Sequence, residues 1–233
     1  MDLMAHFDRF TVMEWIVFSL LSNCALYLLS IGLYIFIDRS CPKKKIQQED
    51  FPITQSDIYL SFLTVLLNTI VMLLAVYLWK MGWIVIREFT TVFASIAEII
   101  CIIIVMDFLM FVFHYFAHLP VVYQLLHHKH HEHSSTNYLS LFVLHPFETL
   151  GFGLLMITLF LSYDFSLISI SVYLFINLIW GTIGHLNREF FPSWADHLYL
   201  GTTKFHNKHH VNEGCNFGFY TTIWDRVFRT YKN

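Results

Sequence analysis

Histidine is concentrated in a few short stretches of this chain. Residues 127–133 read His-His-Lys-His-His-Glu-His, so that five imidazoles stand within seven residues. An imidazole pKa of about 6.5 leaves most such rings neutral at pH 7, and neutral imidazole nitrogens held close together typically bind a transition metal. The stretch therefore predicts a metal site, either a flexible chelating loop or one part of a built centre.

Further histidines occur at spacings that suit a shared ion. His114 and His118 are spaced i, i+4, so that both rings project from the same face if the segment is helical. The spacing H-x-x-H-H occurs twice, and two single histidines stand beside apolar runs. The residues of these patterns are His127, His130 and His131, then His206, His209 and His210, and the single His145 and His185. Several such clusters in one short chain favour a built centre.

The composition indicates a membrane protein. The chain has 233 residues, of which 56% are apolar and 13% charged, and its mean hydropathy is +0.56. Soluble domains usually carry about 25% charged residues. The net charge of −3 argues against nucleic acid as a partner. Four scattered cysteines suggest neither a disulfide framework nor a cysteine zinc site.

Apolar runs predict an all-α polytopic membrane protein of one domain, with four to five transmembrane helices. The runs cover residues 13–37, 58–79, 89–113, 146–161 and 165–182. The last two are slightly short against the roughly 20 residues that cross a bilayer. They are either two further spans or a hairpin that enters the membrane and returns.

The basic residues predict the orientation of these helices. The loop 38–57 contains Lys43, Lys44 and Lys45. If this loop is cytosolic, the alternation of spans places 11 of the 14 basic residues on the cytosolic side, as the positive-inside rule expects. It also places every histidine except His6 at or beyond the cytosolic ends of the helices.

The number of histidines indicates two metal ions. A catalytic zinc uses three protein ligands and a structural zinc uses four, so eight to ten imidazoles suit a pair of ions. Two iron ions with open positions can bind O2 and attack an unactivated C–H bond, and at a membrane face such an oxidant would act on a lipid. Zinc remains open as the bound metal because imidazole suits both metals.

About residues 105–233 resemble the fatty acid hydroxylase/sterol desaturase superfamily of membrane di-iron enzymes. The shared features are H-x-x-x-H, both H-x-x-H-H motifs and the tail 215–225, Cys-Asn-Phe-Gly-Phe-Tyr-Thr-Thr-Ile-Trp-Asp, which is especially similar to the cholesterol 25-hydroxylase branch. Asp107 ahead of the first motif and His185 ahead of a Pro-Ser-Trp segment belong to the same pattern. Residues 145–148, His-Pro-Phe-Glu, look like the His-Pro-x-Glu of the C4-methylsterol oxidase branch.

The resemblance implies a membrane base of four or five helices with a cytosolic, histidine-rich cap that holds a dinuclear metal site. Residues 1–104 would form the N-terminal transmembrane helices, and residues 105–233 the catalytic region of a single integrated domain. Asp107 would orient a ligand ring by accepting its N–H. The ligands carried over by motif are His114, His118, His127, His130, His131, His185, His206, His209 and His210, with His145 as a tenth.

The function predicted from these features is that of an O2-dependent, non-haem di-iron lipid monooxygenase, which hydroxylates an unactivated C–H bond of a sterol or related lipid. The resemblance also implies cytochrome b5 or a similar electron donor with an NAD(P)H-dependent reductase, and a location in the endoplasmic reticulum membrane. Desaturation is a close alternative, because both outcomes share the first hydrogen abstraction.

Two other classes of protein stay open on the sequence. A histidine-rich metal transporter or metal buffer would explain residues 127–133, and Glu98 and Asp107 would then lie on its ion path. This class explains poorly why H-x-x-H-H recurs more than seventy residues later on the same side. A catalytically silent family member that acts as a scaffold is the third interpretation, although every motif histidine is present.

Overall fold

The structure, a computed structural model, describes residues 3–41 and 45–232. These residues form helices, with isolated β-bridges and no strand among them, which confirms the predicted all-α class. A π-helical turn at Tyr123–His127 separates α5 from α6. The α-helices are α1 (Leu3–Asp8), α2 (Val12–Ser40), α3 (Gln55–Lys80), α4 (Val92–Ala117), α5 (Pro120–Val122), α6 (His128–His131), α7 (Pro146–Ser162), α8 (Leu167–Gly184), α9 (Thr203–Val211) and α10 (Ile223–Val227).

Four helices, α2, α3, α4 and α8, are long and apolar enough to cross a membrane. Helix α7 is also apolar but has only 17 residues. These helices account for the five apolar runs of the sequence, and they begin and end a few residues away from the predicted limits. The chain therefore has the helical membrane base that was expected.

Capping residues set where the long helices begin. At α2, Thr11 accepts a hydrogen bond from the backbone N–H of Glu14, whose carboxylate accepts one from Thr11 in return. Thr54 and Asp57 make the same reciprocal pair at α3. Such capping boxes satisfy backbone donors that have no partner in the first helical turn. The helices therefore start at polar residues just outside the apolar runs.

The five long helices form a closed ring around a central space. Helix α2 packs on α3, α3 on α7, α7 on α4, α4 on α8, and α8 on α2. Two glycines of α7 allow its close approach, because a Cβ atom on Gly151 would overlap Phe113 of α4 and one on Gly153 would overlap Val71 of α3. Helix α7 is therefore a full member of the ring despite its length.

Buried polar contacts join two loops at the end of the ring opposite the histidines. Arg87, between α3 and α4, donates its backbone N–H to the Phe165 carbonyl, between α7 and α8, at 3.0 Å. The Glu98 carboxylate pairs with the Arg87 guanidinium and accepts hydrogen bonds from Ser166 at 2.8 and 2.9 Å. The α7–α8 connection thus lies at the end of the bundle away from the histidines. Helices α7 and α8 therefore each run between the two ends of the bundle.

Two expectations stay predictions. The boundary between residues 104 and 105 lies inside the continuous helix α4, and nothing in the fold tests that division into regions. For the orientation signal in the loop 38–57, Lys43 and Lys44 lie outside the described residues.

We predict that Glu98→Ala destabilises the bundle by about 2 kcal/mol, because the substitution leaves the buried Ser166 N–H without its acceptor and removes one partner of the partly exposed Arg87 guanidinium. Metal content should be unchanged, since Glu98 lies sixteen residues, or about 24 Å of helix, from His114. Thermal unfolding in detergent measures the first effect and elemental analysis the second. Ile96→Ala, on the exposed surface of the same helix, is the control, and equal melting of the two variants would contradict the prediction.

Candidate metal centre

The histidines come together from four parts of the chain at one end of the ring. His114 and His118 lie at the end of α4, and His185 caps the end of α8. The π-helical turn and α6 carry one H-x-x-H-H motif, and α9 carries the other. Single π-helical turns inside helices occur frequently at functional sites. Long-range packing, in addition to local spacing, therefore assembles the cluster.

The structure arranges nine of the ten predicted ligands in two groups that could each hold a metal ion. Within each group one nitrogen of every ring lies within 4.8 Å of the others. The first group contains His114, His118, His127, His131 and His209, and the second contains His130, His185, His206 and His210. Each group therefore draws on both H-x-x-H-H motifs.

The way the two motifs are shared follows from helix geometry. In each motif the first and last histidines, spaced i, i+4, enter one group, and the middle histidine enters the other. Successive residues turn by about 100° around a helix, so i+3 and i+4 point in distinct directions. Each motif thus lies between the two groups and contributes to both.

Backbone carbonyls fix the tautomer of several rings. The Nδ1–H groups of His114, His185 and His209 donate to the carbonyl oxygens of Phe217, Gly181 and Cys215 at 2.9, 2.8 and 2.6 Å. A carbonyl oxygen can only accept, so Nδ1 carries the proton and Nε2 carries a lone pair. Metal-ligating histidines are oriented in the same way.

The inward nitrogens lie at distances that suit a shared cation. Nε2 of His127 is 3.1 Å from Nε2 of both His114 and His131, and Nε2 of His185 is 3.3 Å from that of His206. Two imidazoles bound to one ion at about 2.1 Å have nitrogens about 3.0 to 3.4 Å apart. The Nδ1–H of His114 donates to the Phe217 carbonyl, so its Nε2 directs a lone pair at Nε2 of His127, and a cation or a proton must lie between these two nitrogens.

Two buried nitrogens and the shifted pKa values also fit metal binding. Nε2 of His118 and Nε2 of His209 are buried without a hydrogen-bond partner among the described residues. Burial, reinforced for the first two by neighbouring imidazoles, lowers the pKa of His118 to about 2, that of His131 to about 3, and that of His185 to about 4. The rings are therefore neutral at pH 7, as ligation requires.

Glu148 is a further candidate site residue, which the sequence analysis did not single out. Its carboxylate oxygen lies 2.7 Å from Nδ1 of His127, and both side chains are 2% exposed. A carboxylate that accepts the second N–H of a ligating histidine holds the ring in place and raises its basicity. The sequence signal for Glu148 was the His-Pro-x-Glu segment. Glu148 lies three residues after His145, the N-cap of α7.

Two predicted site residues have other roles in the structure. His145 lies outside both groups, where its Nδ1 accepts the backbone N–H of Phe147 and caps α7. Asp107 does not contact a ligand ring, because its carboxylate accepts from the backbone N–H groups of Tyr220 and Thr221 at 2.8 and 3.2 Å. In the structure His145 thus acts as a helix cap and Asp107 as an anchor for the C-terminal segment, and their predicted roles at the metal centre stay predictions.

Histidines outside the motifs also have distinct surroundings. His128 is exposed beside Glu132, as expected for a residue turned to solvent. His133 is fully buried, and its Nδ1 lies 2.7 Å from the Ser140 hydroxyl while its Nε2 lies 3.3 Å from Asp57. His133 therefore joins the loop after α6 to the start of α3.

A cavity of about 720 Å³ fills the centre of the ring and reaches both groups of histidines. Its wall runs from these histidines to Trp79 at the end of α3 and to Phe7 of α1, and most of the lining side chains are apolar. Five histidines border it, namely His114, His127, His130, His185 and His206. The candidate metal centre thus opens onto an apolar chamber inside the membrane base.

The fold and the site define a helical protein with four helices suited to cross a membrane and two adjacent histidine groups that could each hold a metal ion. The chain belongs to the fatty acid hydroxylase family, whose family model matches residues 99–230. The resemblance predicted from the histidine motifs is therefore confirmed. A comparison with solved structures finds no match.

Several curated proteins are similar to this chain. The Arabidopsis thaliana protein CER1-like 1 is 30% identical over 54% of this chain and 22% of its own length. Human cholesterol 25-hydroxylase is 28% identical over 58% of this chain and 51% of its own length. The C-4 methylsterol oxidase of Schizosaccharomyces pombe is 27% identical over 60% of this chain and 50% of its own length. The chain spans about half or less of the length of these relatives. Their names include a hydroxylase and an oxidase, and with the family match they confirm the predicted class of oxidoreductase.

We predict that His118→Ala and His206→Ala each lower the metal affinity by at least about tenfold, because each removes an inward nitrogen from one group. Elemental analysis of the purified protein, after dialysis against a weak chelator, measures the bound metal. His128→Ala and His145→Ala are controls of the same residue type in the same region, and they should retain the metal of the parent. Metal loss in His145→Ala would restore that residue as a ligand.

We predict that Glu148→Gln weakens metal binding by about tenfold to a hundredfold while the fold persists, since the amide oxygen can still accept from the His127 ring but carries no negative charge to raise its basicity. Competition with a chelator of known affinity gives the change. Glu132→Gln, on the exposed surface of the same region, serves as the control. Equal affinities in the two variants would show that Glu148 does not support the metal site.

Proposed function

We propose that this protein is an O2-dependent, non-haem di-iron lipid monooxygenase that hydroxylates an unactivated C–H bond of a sterol or related lipid. The observation that carries the proposal is the joining of two features: a pair of buried imidazole groups and an apolar cavity that ends at them. A polar metal centre at the end of an apolar chamber is suited to oxidising a hydrocarbon chain. Membership in the fatty acid hydroxylase family supports the same reaction class.

The proposed ligands are the nine histidines of the two groups. Two iron ions bound there would supply O2 activation, in which one oxygen atom enters the C–H bond and the other leaves as water, with two electrons and two protons from a donor. The chain itself holds the rings through backbone carbonyls and Glu148, excludes bulk water through the apolar wall, and positions the lipid. Zinc also suits such a set of imidazoles.

The electron donor is proposed to be cytochrome b5 or a similar acidic protein with an NAD(P)H-dependent reductase. Exposed basic side chains lie on and near α9 and α10, on the histidine side of the ring, and would attract such a partner. They are Lys204, Arg226, Arg229 and Lys232. By the positive-inside rule this side faces the cytosol, and the proposed location is the endoplasmic reticulum membrane.

The sterol assignment rests on similarity to named relatives. Two of them are named for cholesterol and for a C-4 methylsterol, and a third, from Candida albicans, is named a Delta(7)-sterol 5(6)-desaturase and is 26% identical over 51% of this chain. Desaturation is therefore kept as the second candidate reaction. Metal transport is disfavoured, since Glu98 and Asp107, the carboxylates that it would use, are both engaged in structural hydrogen bonds.

We expect cells that express the protein to accumulate a sterol with one additional oxygen atom, detected by lipid mass spectrometry. The double variant His209→Ala/His210→Ala removes one ligand from each group and should abolish the product, whereas His145→Ala should retain it. A product lighter by two hydrogens would identify a desaturase. Unchanged sterols and acyl lipids in cells that contain the metal-loaded protein and a supplied donor would contradict lipid oxidation, and oxygen-independent metal flux in vesicles would then identify a transporter.

A further inference from the structure

Three asparagines interrupt the apolar wall of the cavity midway along the ring. They are Asn23 of α2, Asn68 of α3 and Asn177 of α8, and all three line the same chamber. Each lies well inside a helix that is long and apolar enough to cross a membrane. A polar amide at this depth is unfavourable unless it is hydrogen-bonded, since neither lipid nor an apolar wall supplies a partner. Their grouping around one cavity therefore indicates a ligand.

Asn68 faces the cavity and has no hydrogen-bond partner among the described residues. The opposite face of α3 carries exposed apolar side chains that suit contact with lipid, such as Leu66 and Ile70. Thr64 and Val71, one turn to either side of Asn68, line the cavity as it does. Asn68 therefore presents a free amide donor and a free amide acceptor to the chamber.

The other two asparagines each keep one atom available. Asn23 donates to the Ser19 carbonyl at 2.9 Å, and its Oδ1 has no partner among the described residues. Asn177 accepts from the Tyr220 hydroxyl at 2.5 Å, and its Nδ2 has none. The set thus offers both donors and acceptors, which is what a hydroxyl group needs because it donates one hydrogen bond and accepts others.

The charge of the cavity limits what its middle can bind. Among the described residues that line it, Glu148 is the single carboxylate, it stands at the histidine end, and no lysine or arginine is present. A fatty acid carboxylate or a phospholipid headgroup would therefore be buried without an opposite charge, which is strongly unfavourable. The polar group that fits beside the asparagines is neutral.

The helices give the distance from the asparagines to the candidate metal centre. Asn177 precedes His185 by eight residues on α8, or about 12 Å of helix. Asn68 lies one turn beyond Thr64, whose hydroxyl donates to the Phe142 carbonyl in the segment between α6 and α7 at 2.9 Å. The hydrogen bond of 2.7 Å between Ser30 of α2 and Thr182 of α8 aligns the third helix with the other two.

We propose that Asn68, together with Asn23 and Asn177, binds the neutral hydroxyl group of an elongated lipid alcohol and so sets which carbon reaches the metal centre. The proposal deepens the proposed function and rests on it for the reaction at the other end of the lipid. The carbon that reacts lies about 12 Å from the bound hydroxyl, as given by the rise of α8 from Asn177 to His185. Asn68 is thus a positioning and specificity residue.

The test is lipid binding to the purified, metal-loaded protein in nanodiscs, without reductant, so that binding is read separately from turnover. Four labelled lipids are compared: cholesterol, 5α-cholestane, 1-octadecanol and stearic acid. We expect at least one of the two alcohols to bind and 5α-cholestane and stearic acid to bind more weakly, and the preferred alcohol distinguishes a sterol from a fatty alcohol. Asn68→Leu should weaken alcohol binding by about tenfold, as expected for one lost buried hydrogen bond, with metal content unchanged.

Matched variants keep the result interpretable. Thr69→Val removes a polar group from the next residue of α3, whose hydroxyl bonds to its own helix at Val65 and does not line the cavity, and it should bind as the parent does. Asn68→Ser should recover part of the affinity, and Asn23→Leu replaces Asn68→Leu if the latter loses its metal. Equal alcohol binding by the parent and the asparagine variants, or preferred binding of stearic acid, would overturn the proposal. Alcohol binding in this assay, together with no oxidised lipid in cells that contain the metal-loaded protein and a supplied donor, would contradict the proposed function alone.

Discussion

Lone pairs of imidazole nitrogens directed into one small space are the constraint on which the rest of this structure depends. His114 donates its Nδ1–H to the Phe217 carbonyl, so its Nε2 directs a lone pair at Nε2 of His127, 3.1 Å away. Several such nitrogens in one small space are held together most favourably by a cation. The helices, the turn before α6 and the C-terminal segment are all placed so that these nitrogens meet. The closed ring of helices then supplies the apolar chamber beside them.

The duplicated H-x-x-H-H motif solves a geometric problem that a single motif cannot. A helix that stands between two ions must direct side chains to both, and positions i, i+3 and i+4 divide in this way. His130 joins the group to which α9 gives His206 and His210, and His209 joins the group to which the first motif gives His127 and His131. The two segments exchange one ligand each, so neither group can form from one segment alone. This exchange favours one cooperative centre over two independent sites.

Local sequence patterns predicted most of the fold, because apolar runs and residue spacing reflect interactions between residues that are close in sequence. Apolar runs identify the helices, and the i, i+4 spacing of His114 and His118 identifies a shared helical face. For one predicted site residue, the contact that the structure shows comes from a part of the chain distant in sequence. Asp107 shares the face of His114 as expected, yet the turn at Tyr220, more than a hundred residues later, takes its carboxylate. The His145 side chain is of a type that can bind a metal, but its Nδ1 accepts the backbone N–H of Phe147 and caps the start of α7. No spacing rule could reveal the ring order of the helices, in which α7 stands between α3 and α4.

The C-terminal segment contains no proposed ligand after His210, but it controls the ligands that precede it. The Phe217 carbonyl accepts from His114, and the Cys215 carbonyl accepts from His209. Asp225 holds this segment in place, because its carboxylate accepts the backbone N–H groups of Phe217 and Gly218 at 2.8 and 2.7 Å. A frameshift, a premature stop codon or a bulky insertion at residues 215–225 would therefore weaken metal binding while every candidate ligand histidine stays intact. A genetic survey that scored only the histidine codons would miss such alleles.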